Sequence, residues 1–383
     1  MIRILHCIET IASGGVEQVR MTMIRGLDKS KYEHKIICTW EGGEIADALK
    51  AEGVELIPIG GFKNPLEWRK HNKVLQVIRE FKPHIIHGAI FEGMAMAAIG
   101  GTLGKVPVVI LEETSHPISR SKKAIYLQRF FAKAADAVVG IAPTVVTYLK
   151  QKVRLPESQV KLINNGVNLP REVAAEEKSQ LKKALGIQEG DLIIGSAGRF
   201  YNEVKRFTDV LEAIKTLKNT KIKFLLLGQG QDRELILNKA NELGLEDQII
   251  LPGFQMDTAP FYQVMDIFCI ASAHEGFGLV AAEAMLHGLP VIATRVGGLQ
   301  DIVVEGETGF LVPPFSPEAI SGKIKILLQN PDLRSEMGQK GYQRAMENYS
   351  AARYCKEIET LYLDLLKEKK IYLSDFTSKN YDL

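Results

Sequence analysis

Short apolar, β-branched runs alternate along this chain with longer stretches in which apolar positions recur every three or four residues. Apolar runs of four to eight residues bounded by turn residues predict strands buried on both faces. Their alternation with helical stretches predicts parallel α/β sheets. The first half supplies IRILHCI (2–8), HKIICTW (34–40), ELIPI (55–59), HIIHG (84–88), PVVILEE (107–113) and AVVGIA (137–142), with helical periodicity over 16–27, 65–81 and 94–103. The pattern restarts with LIIGSAG (192–198), KFLLLG (223–228), IILPG (249–253), IFCIAS (267–272), PVIAT (290–294) and GFLVP (309–313).

Between the two series the strand pattern lapses over 161–186. Asn164, Asn165, Gly166 and Pro170 supply turn chemistry there, and 176–185 reads as a charged surface helix. Two domains are therefore expected, 1–170 and 171–350. A last amphipathic helix over 351–370 carries Tyr354, Ile358, Leu361, Leu365 and Leu366 on one side.

A length of 383 residues suits two domains. With 46% apolar and 25% charged residues the chain is an ordinary globular protein, and a net charge of +2 argues against nucleic acid as a partner. The four cysteines have no CxxC spacing; Cys7, Cys38 and Cys269 lie in apolar runs and read as buried, reduced thiols of a cytoplasmic protein. No signal peptide, membrane span or metal motif is apparent.

The chemistry concentrates in HEGFGLVAAEAMLHGLP (274–290), where Glu275 and Glu283 flank a Gly276-Phe277-Gly278 turn that leads into a helix from Leu279. A glycine turn feeding a helix N-terminus offers backbone amides and a positive dipole end to an anion such as phosphate. Carboxylates beside such an anion are better suited to accepting hydrogen bonds from hydroxyls. A nucleotide sugar has both groups. Arg199 and Lys205 follow the strand 192–198, where a parallel sheet presents its ligand loops. Arginine offers a planar fork to phosphate oxygens and lysine a point charge.

The 274–290 run resembles the signature of the family 4 glycosyltransferases, with its two glutamates separated by seven residues, the Gly-Phe-Gly, the Glu-Ala-Met and the Gly-Leu-Pro. The resemblance is strong over about 192–328 and collinear over 1–170. It implies the GT-B fold: α/β, two Rossmann-like doubly wound domains facing across a cleft, with the C-terminal helix (about 351–383) crossing back to the first domain. It implies a retaining transferase that moves a sugar from a nucleoside diphosphate, UDP- or GDP-linked, to a hydroxyl of a glycan or lipid-linked acceptor, with no cofactor and no metal. An epimerase of similar fold and a non-catalytic partner subunit are the alternatives.

By the same resemblance Glu275 orients the sugar, Glu283 holds the ribose, and Arg199 with Lys205 and the amides of Gly276–Leu279 hold the diphosphate. Arg206 is the substitute if the spacing excludes Lys205. Gly228 and Phe254 line the nucleoside pocket, Gly14 and Gly15 close on the diphosphate, and Glu17 and His87 lie on the acceptor side. His116, or in its place Glu112 or Glu113, contacts the transferred sugar. Separately, 119–133 holds five basic residues and no acid, with Tyr126, Phe130 and Phe131 interleaved. Such a helix either packs its aromatics inward or lies on an anionic membrane, which would put the protein at the inner face of the cell membrane.

Overall fold

The structure, a computed structural model, describes residues 1–12, 14–115 and 120–372. It comprises two compact units, Met1–Gly166 with the chain from Ala351 onward, and Val167–Ser350.

The first unit is built on seven parallel strands: β1 (Ile2–Cys7), β2 (Tyr32–Cys38), β3 (Glu55–Pro58), β4 (Ile85–Ala89), β5 (Val108–Glu113), β6 (Ala137–Gly140) and β7 (Val160–Leu162). Their order is β3-β2-β1-β4-β5-β6-β7, so the connectivity reverses between β1 and β4. Six of these coincide with the apolar runs. The seventh escapes the pattern because it is three residues long and leaves Lys161 and Leu162 exposed, too little to establish a period. A small parallel ribbon, Thr10–Ile11 against Trp40–Glu41, joins the loops that follow β1 and β2. Helices α1 (Gly15–Gly26), α2 (Ile90–Leu103) and α3 (Lys122–Ala132) follow β1, β4 and β5.

The C-terminal helix, Ala351–Glu368, returns to this unit. It buries the expected Tyr354, Ile358, Leu361, Leu365 and Leu366, together with Cys355 and Tyr362, and packs on α1. Fully burying each aliphatic side chain is worth about 1.5–3 kcal/mol. Its seat includes the turn residues of the supposed linker, since Arg353 donates to the carbonyls of Asn164 and Asn165.

Beneath that helix lies a polar cluster that the sequence pattern does not announce. Arg20 of α1, 1% exposed, reaches Glu112 of β5 at 3.5 Å. His87 of β4 lies 3.2 Å from the same carboxylate, and its Nδ1 meets the Tyr362 hydroxyl at 2.7 Å. His6 approaches Arg20 at 3.4 Å and His34 at 3.0 Å. His87, expected on the acceptor side, has its contacts in this cluster. It is fully buried within β4, and its partners are the core carboxylate and the C-terminal helix. Glu112 is committed to the same cluster.

Protonation should loosen this core. Burial, then the Arg20 charge, holds His34 down at about 4 and His6 and His87 below the usual histidine range. Burial pushes the Glu112 carboxyl up, but Arg20 and His87 outweigh it and hold it at about 2. In each case the unfolded chain binds protons first, so stability is full above the unfolded pKa and is lost as pH falls. Urea midpoints followed by tryptophan emission should therefore decline from about pH 6.5 to pH 4 through the histidines, and further below about pH 4.5 through Glu112. Midpoints flat across that range would contradict neutral histidines in the core.

The second unit, Val167–Ser350, carries β8 (Leu192–Ala197), β9 (Ile222–Leu227), β10 (Ile249–Gly253), β11 (Ile267–Ile270), β12 (Val291–Thr294) and β13 (Gly309–Val312). All six are parallel, in the order β10-β9-β8-β11-β12-β13. Its core includes Phe224, Leu226, Ile267, Ile292 and Ile324, all fully buried. The reversal of connectivity falls between β8 and β11, and their carboxyl ends open a crevice where doubly wound sheets hold ligands.

Candidate functional site

At that reversal the chain gathers most of the second-unit residues singled out in the sequence. The loop after β8 carries Arg199, whose side chain is exposed. A short helix, Asn202–Lys205, then brings Lys205 Nζ to 2.6 Å from Glu275 Oε2 in the loop after β11. The two loops are tied by the amide of Ala273, which donates to the Val204 carbonyl at 2.7 Å. Ser272 also points its hydroxyl at Glu275 Oε2, at 3.4 Å. Of the two neighbouring cations, Lys205 is the one that meets Glu275. Arg206 turns away to Asp209 at 2.7 Å and lies over the Phe315 ring. The spacing leaves Lys205 and Arg206 open, and the left-handed backbone at Arg206 separates their directions.

Helix α4 (Leu279–Leu286) begins at the glycine turn. Gly278 stands at its N-cap with φ 106°, a left-handed backbone that suits glycine and lets the first-turn amides face the crevice. Phe277 is buried edge-on against Tyr349, so this residue offers a ligand its backbone. Gly297 closes the floor after β12. A Cβ there would lie 1.7 Å from the Glu275 carbonyl oxygen at φ 47°, and the neighbouring Gly298 amide donates to that same carbonyl at 3.2 Å. The glycine pair sets the height of the Glu275 loop.

Glu283 projects from α4 one turn further on. Its Oε2 accepts from the Tyr262 hydroxyl at 2.9 Å. Tyr262 stacks on His287, with ring centroids 4.7 Å apart, and His287 Nδ1 meets the Glu283 carbonyl oxygen at 2.8 Å. Burial raises the Glu283 carboxyl, while the Tyr262 hydrogen bond opposes the rise. A carboxylate held this way has a fixed direction and a remaining oxygen for a hydroxyl donor. Sequence reasoning misses Tyr262, His287 and Ser272. Only the i,i+4 spacing of Glu283 and His287 on one helix hints at any of them. Gly228 and Phe254 follow β9 and β10, whose loops are joined by the Gly228 amide on the Gly253 carbonyl at 3.0 Å.

In the first unit, Gly14 and Gly15 open α1 after β1. Glu17 folds its carboxylate back over Gly14 and accepts from the Thr10 hydroxyl at 3.3 Å. Glu113 is buried and bound by Arg120, Gln128 and the Ser115 amide. Glu112 pairs with Arg20 in the cluster above, and His116 lies outside the described residues. Helix α3 turns Phe131 inward but leaves Tyr126 69% and Phe130 61% exposed, beside exposed Lys122, Lys123 and Lys133. Among the described residues no His, Cys, Asp or Glu group fit to hold a metal is found, and no helix is long and apolar enough to cross a membrane.

Residues 177–344 match the family model of the glycosyl transferases group 1, and residues 13–171 match that of glycosyltransferase family 4. Among curated relatives, N-acetyl-alpha-D-glucosaminyl L-malate synthase of Bacillus anthracis is 29% identical over 245 residues, 64% of each chain. D-inositol 3-phosphate glycosyltransferase of Corynebacterium urealyticum is 29% identical over 277 residues, 69% of this chain and 64% of its own. The chain thus spans about 64% of the length of these relatives. The solved structure of Anabaena Alr3699/HepE in complex with UDP and glucose superposes with a TM-score of 0.84 over 94% of this chain and 99% of its own, at 19% identity, which identifies the GT-B fold.

Proposed function

Because this chain belongs to the family 4 glycosyltransferases, we propose that it transfers a sugar, with retention, from a UDP- or GDP-linked donor to a hydroxyl of a glycan or lipid-linked acceptor. The observation that carries the reading is the convergence of Lys205, Glu275 and Glu283 on the N-terminal half of α4 at the sheet's reversal. A diphosphate placed on the first-turn amides meets Arg199 and Lys205. Ribose hydroxyls then donate to Glu283 and sugar hydroxyls to Glu275. The cations and the helix dipole stabilise the charge that develops on the leaving diphosphate. No protein nucleophile and no metal is invoked. UDP is the first donor nucleotide to test, being the one in the HepE complex.

Thermal shift with UDP and GDP tests the donor, and acceptor-dependent release of nucleoside diphosphate tests the transfer. Glu283→Ala should weaken nucleotide binding by about 10-fold or more, the worth of a hydrogen bond to a charged group, whereas Arg199→Ala should mainly lower kcat. Full transfer activity in both variants would remove the assignment.

We further propose that α3 rests on an anionic membrane at the inner face of the cell membrane. Its two exposed rings lie four residues apart, on one face, among lysines. Each basic residue near such a surface contributes about 1 kcal/mol. Sedimentation with phosphatidylglycerol vesicles should deplete the protein from solution, and phosphatidylcholine vesicles should not. Tyr126→Ser with Phe130→Ser should abolish the depletion. Equal binding to both lipids, or none, would refute the contact.

A further inference from the structure

The helix Ala175–Ala184, at the start of the second unit, buries none of its residues and packs on the short helix Ala259–Tyr262. Ala175, Lys178, Ser179 and Lys182 are spaced three or four positions apart and share one face. A surface helix ordinarily turns an apolar face inward and sends its lysines to solvent. Here the lysine-bearing face lines a cleft of about 490 Å³, together with Lys183, Gln188 and Gln263, the residue after Tyr262. That volume is within the range of about 300–1,000 Å³ usual for small-molecule sites.

Three ammonium groups thus border one cleft. Lys182 and Lys183 lie in the last turn, where the negative end of the helix dipole favours them. Lys178 lies in the first half of the helix, and its i,i+4 spacing from Lys182 makes the two charges repel. Among the described residues none of the three has a carboxylate partner, and Glu177, the neighbour of Lys178, is held by Arg171 at 2.5 Å. The cleft offers three cations, the Ser179 hydroxyl and the amides of Gln188 and Gln263, with no acid among its described walls. All of these groups can donate hydrogen bonds, and a phosphate accepts from each.

Gln263 is shared with a second cleft, of about 600 Å³, whose walls include Glu172, Gln339, Tyr342 and Gln343. Carboxamides both donate and accept, and a carboxylate accepts, as sugar hydroxyls require. Tyr342, 42% exposed, offers a ring face to the C–H side of a sugar. Neither cleft is lined by Arg199, Lys205, Glu275 or Glu283, so the pair is separate from the donor crevice.

We propose that the two clefts form a second ligand site for a phosphorylated carbohydrate. Its phosphate lies among Lys178, Lys182 and Lys183, and its hydroxyls meet the amide-lined cleft across Gln263. The site is wholly within the second unit and does not depend on the transfer reading.

Equilibrium dialysis of the full chain with labelled glucose 6-phosphate should show saturable binding. Inorganic phosphate and glucose should each bind at least about tenfold more weakly, since each fills one cleft only. The double variant Lys178→Ala, Lys182→Ala should weaken glucose 6-phosphate at least about tenfold by removing two charged donors, while alanine preserves the helix. Tyr342→Ala with Gln343→Ala should weaken glucose 6-phosphate and leave inorganic phosphate within about twofold. Lys205→Ala should leave glucose 6-phosphate within about twofold, which separates this site from the donor crevice. Absence of saturable binding, equal affinity for inorganic phosphate and glucose 6-phosphate, or a larger loss in Lys205→Ala than in the lysine pair overturns the proposal.

Discussion

Lys205→Ala should lower kcat by about 10²- to 10³-fold, the usual loss when one preorganised group facing developing negative charge is removed. The ammonium lies 2.6 Å from Glu275, in a crevice where both side chains are mostly screened from solvent. Its loss would remove the charge proposed to stabilise the departing diphosphate. It would also free the Glu275 carboxylate, leaving that residue an unpaired negative charge near the phosphate position. Both effects act on the transition state more than on donor binding, so kcat should fall much more than the donor KM rises. Arg206→Ala is the control. It carries the same charge one residue on, but its guanidinium is engaged with Asp209 and Phe315, and transfer should stay within about twofold. Steady-state kinetics on the two variants decides the matter, and a larger loss in Arg206→Ala would reverse the assignment.

The largest effect on stability is expected in the first unit. Arg20→Ala or Glu112→Ala should each cost about 3–5 kcal/mol, because either leaves its partner as a buried, uncompensated charge. Arg20 and Glu112 are 1% and 2% exposed, so no solvent reaches in to replace the missing partner. The double variant Arg20→Met, Glu112→Leu should cost much less than the sum of the single losses, since no unpaired charge remains. Both tryptophans lie in the first unit, so urea unfolding followed by their emission reads the unit concerned and not the other. Losses below about 1 kcal/mol in both single variants would show that the pair is not isolated from water.

Much of the site is legible in the sequence because its elements are local. Strand, glycine turn and helix succeed one another within 274–290, and the amides, the dipole and both glutamates come with that single segment. The same locality makes Arg199 visible as the end of a strand. The partners of His87 are not legible for the converse reason. A histidine in an apolar run reads as the strand's outlet when nothing reveals which residues stack above it. Here those residues are Arg20, Glu112 and Tyr362, distant in sequence by 67, 25 and 275 positions. The aromatics of α3 are a similar case. A period of 3.6 predicts that they share a face, but whether that face meets the core depends on what packs there, and only Phe131 found a partner inside.

The sequence by itself determined the two series of parallel strands, the return of an amphipathic helix at the C-terminus and the glycine turn that leads into a helix between two glutamates at 274–290. Each of these is written in neighbouring residues or in one period. The tertiary structure alone decided that Lys205 and not Arg206 faces Glu275, that Tyr262 and His287 aim Glu283, and that a charged cluster seats the C-terminal helix. Those outcomes depend on which side chains meet after strands far apart in the chain have paired, and no local pattern carries that information.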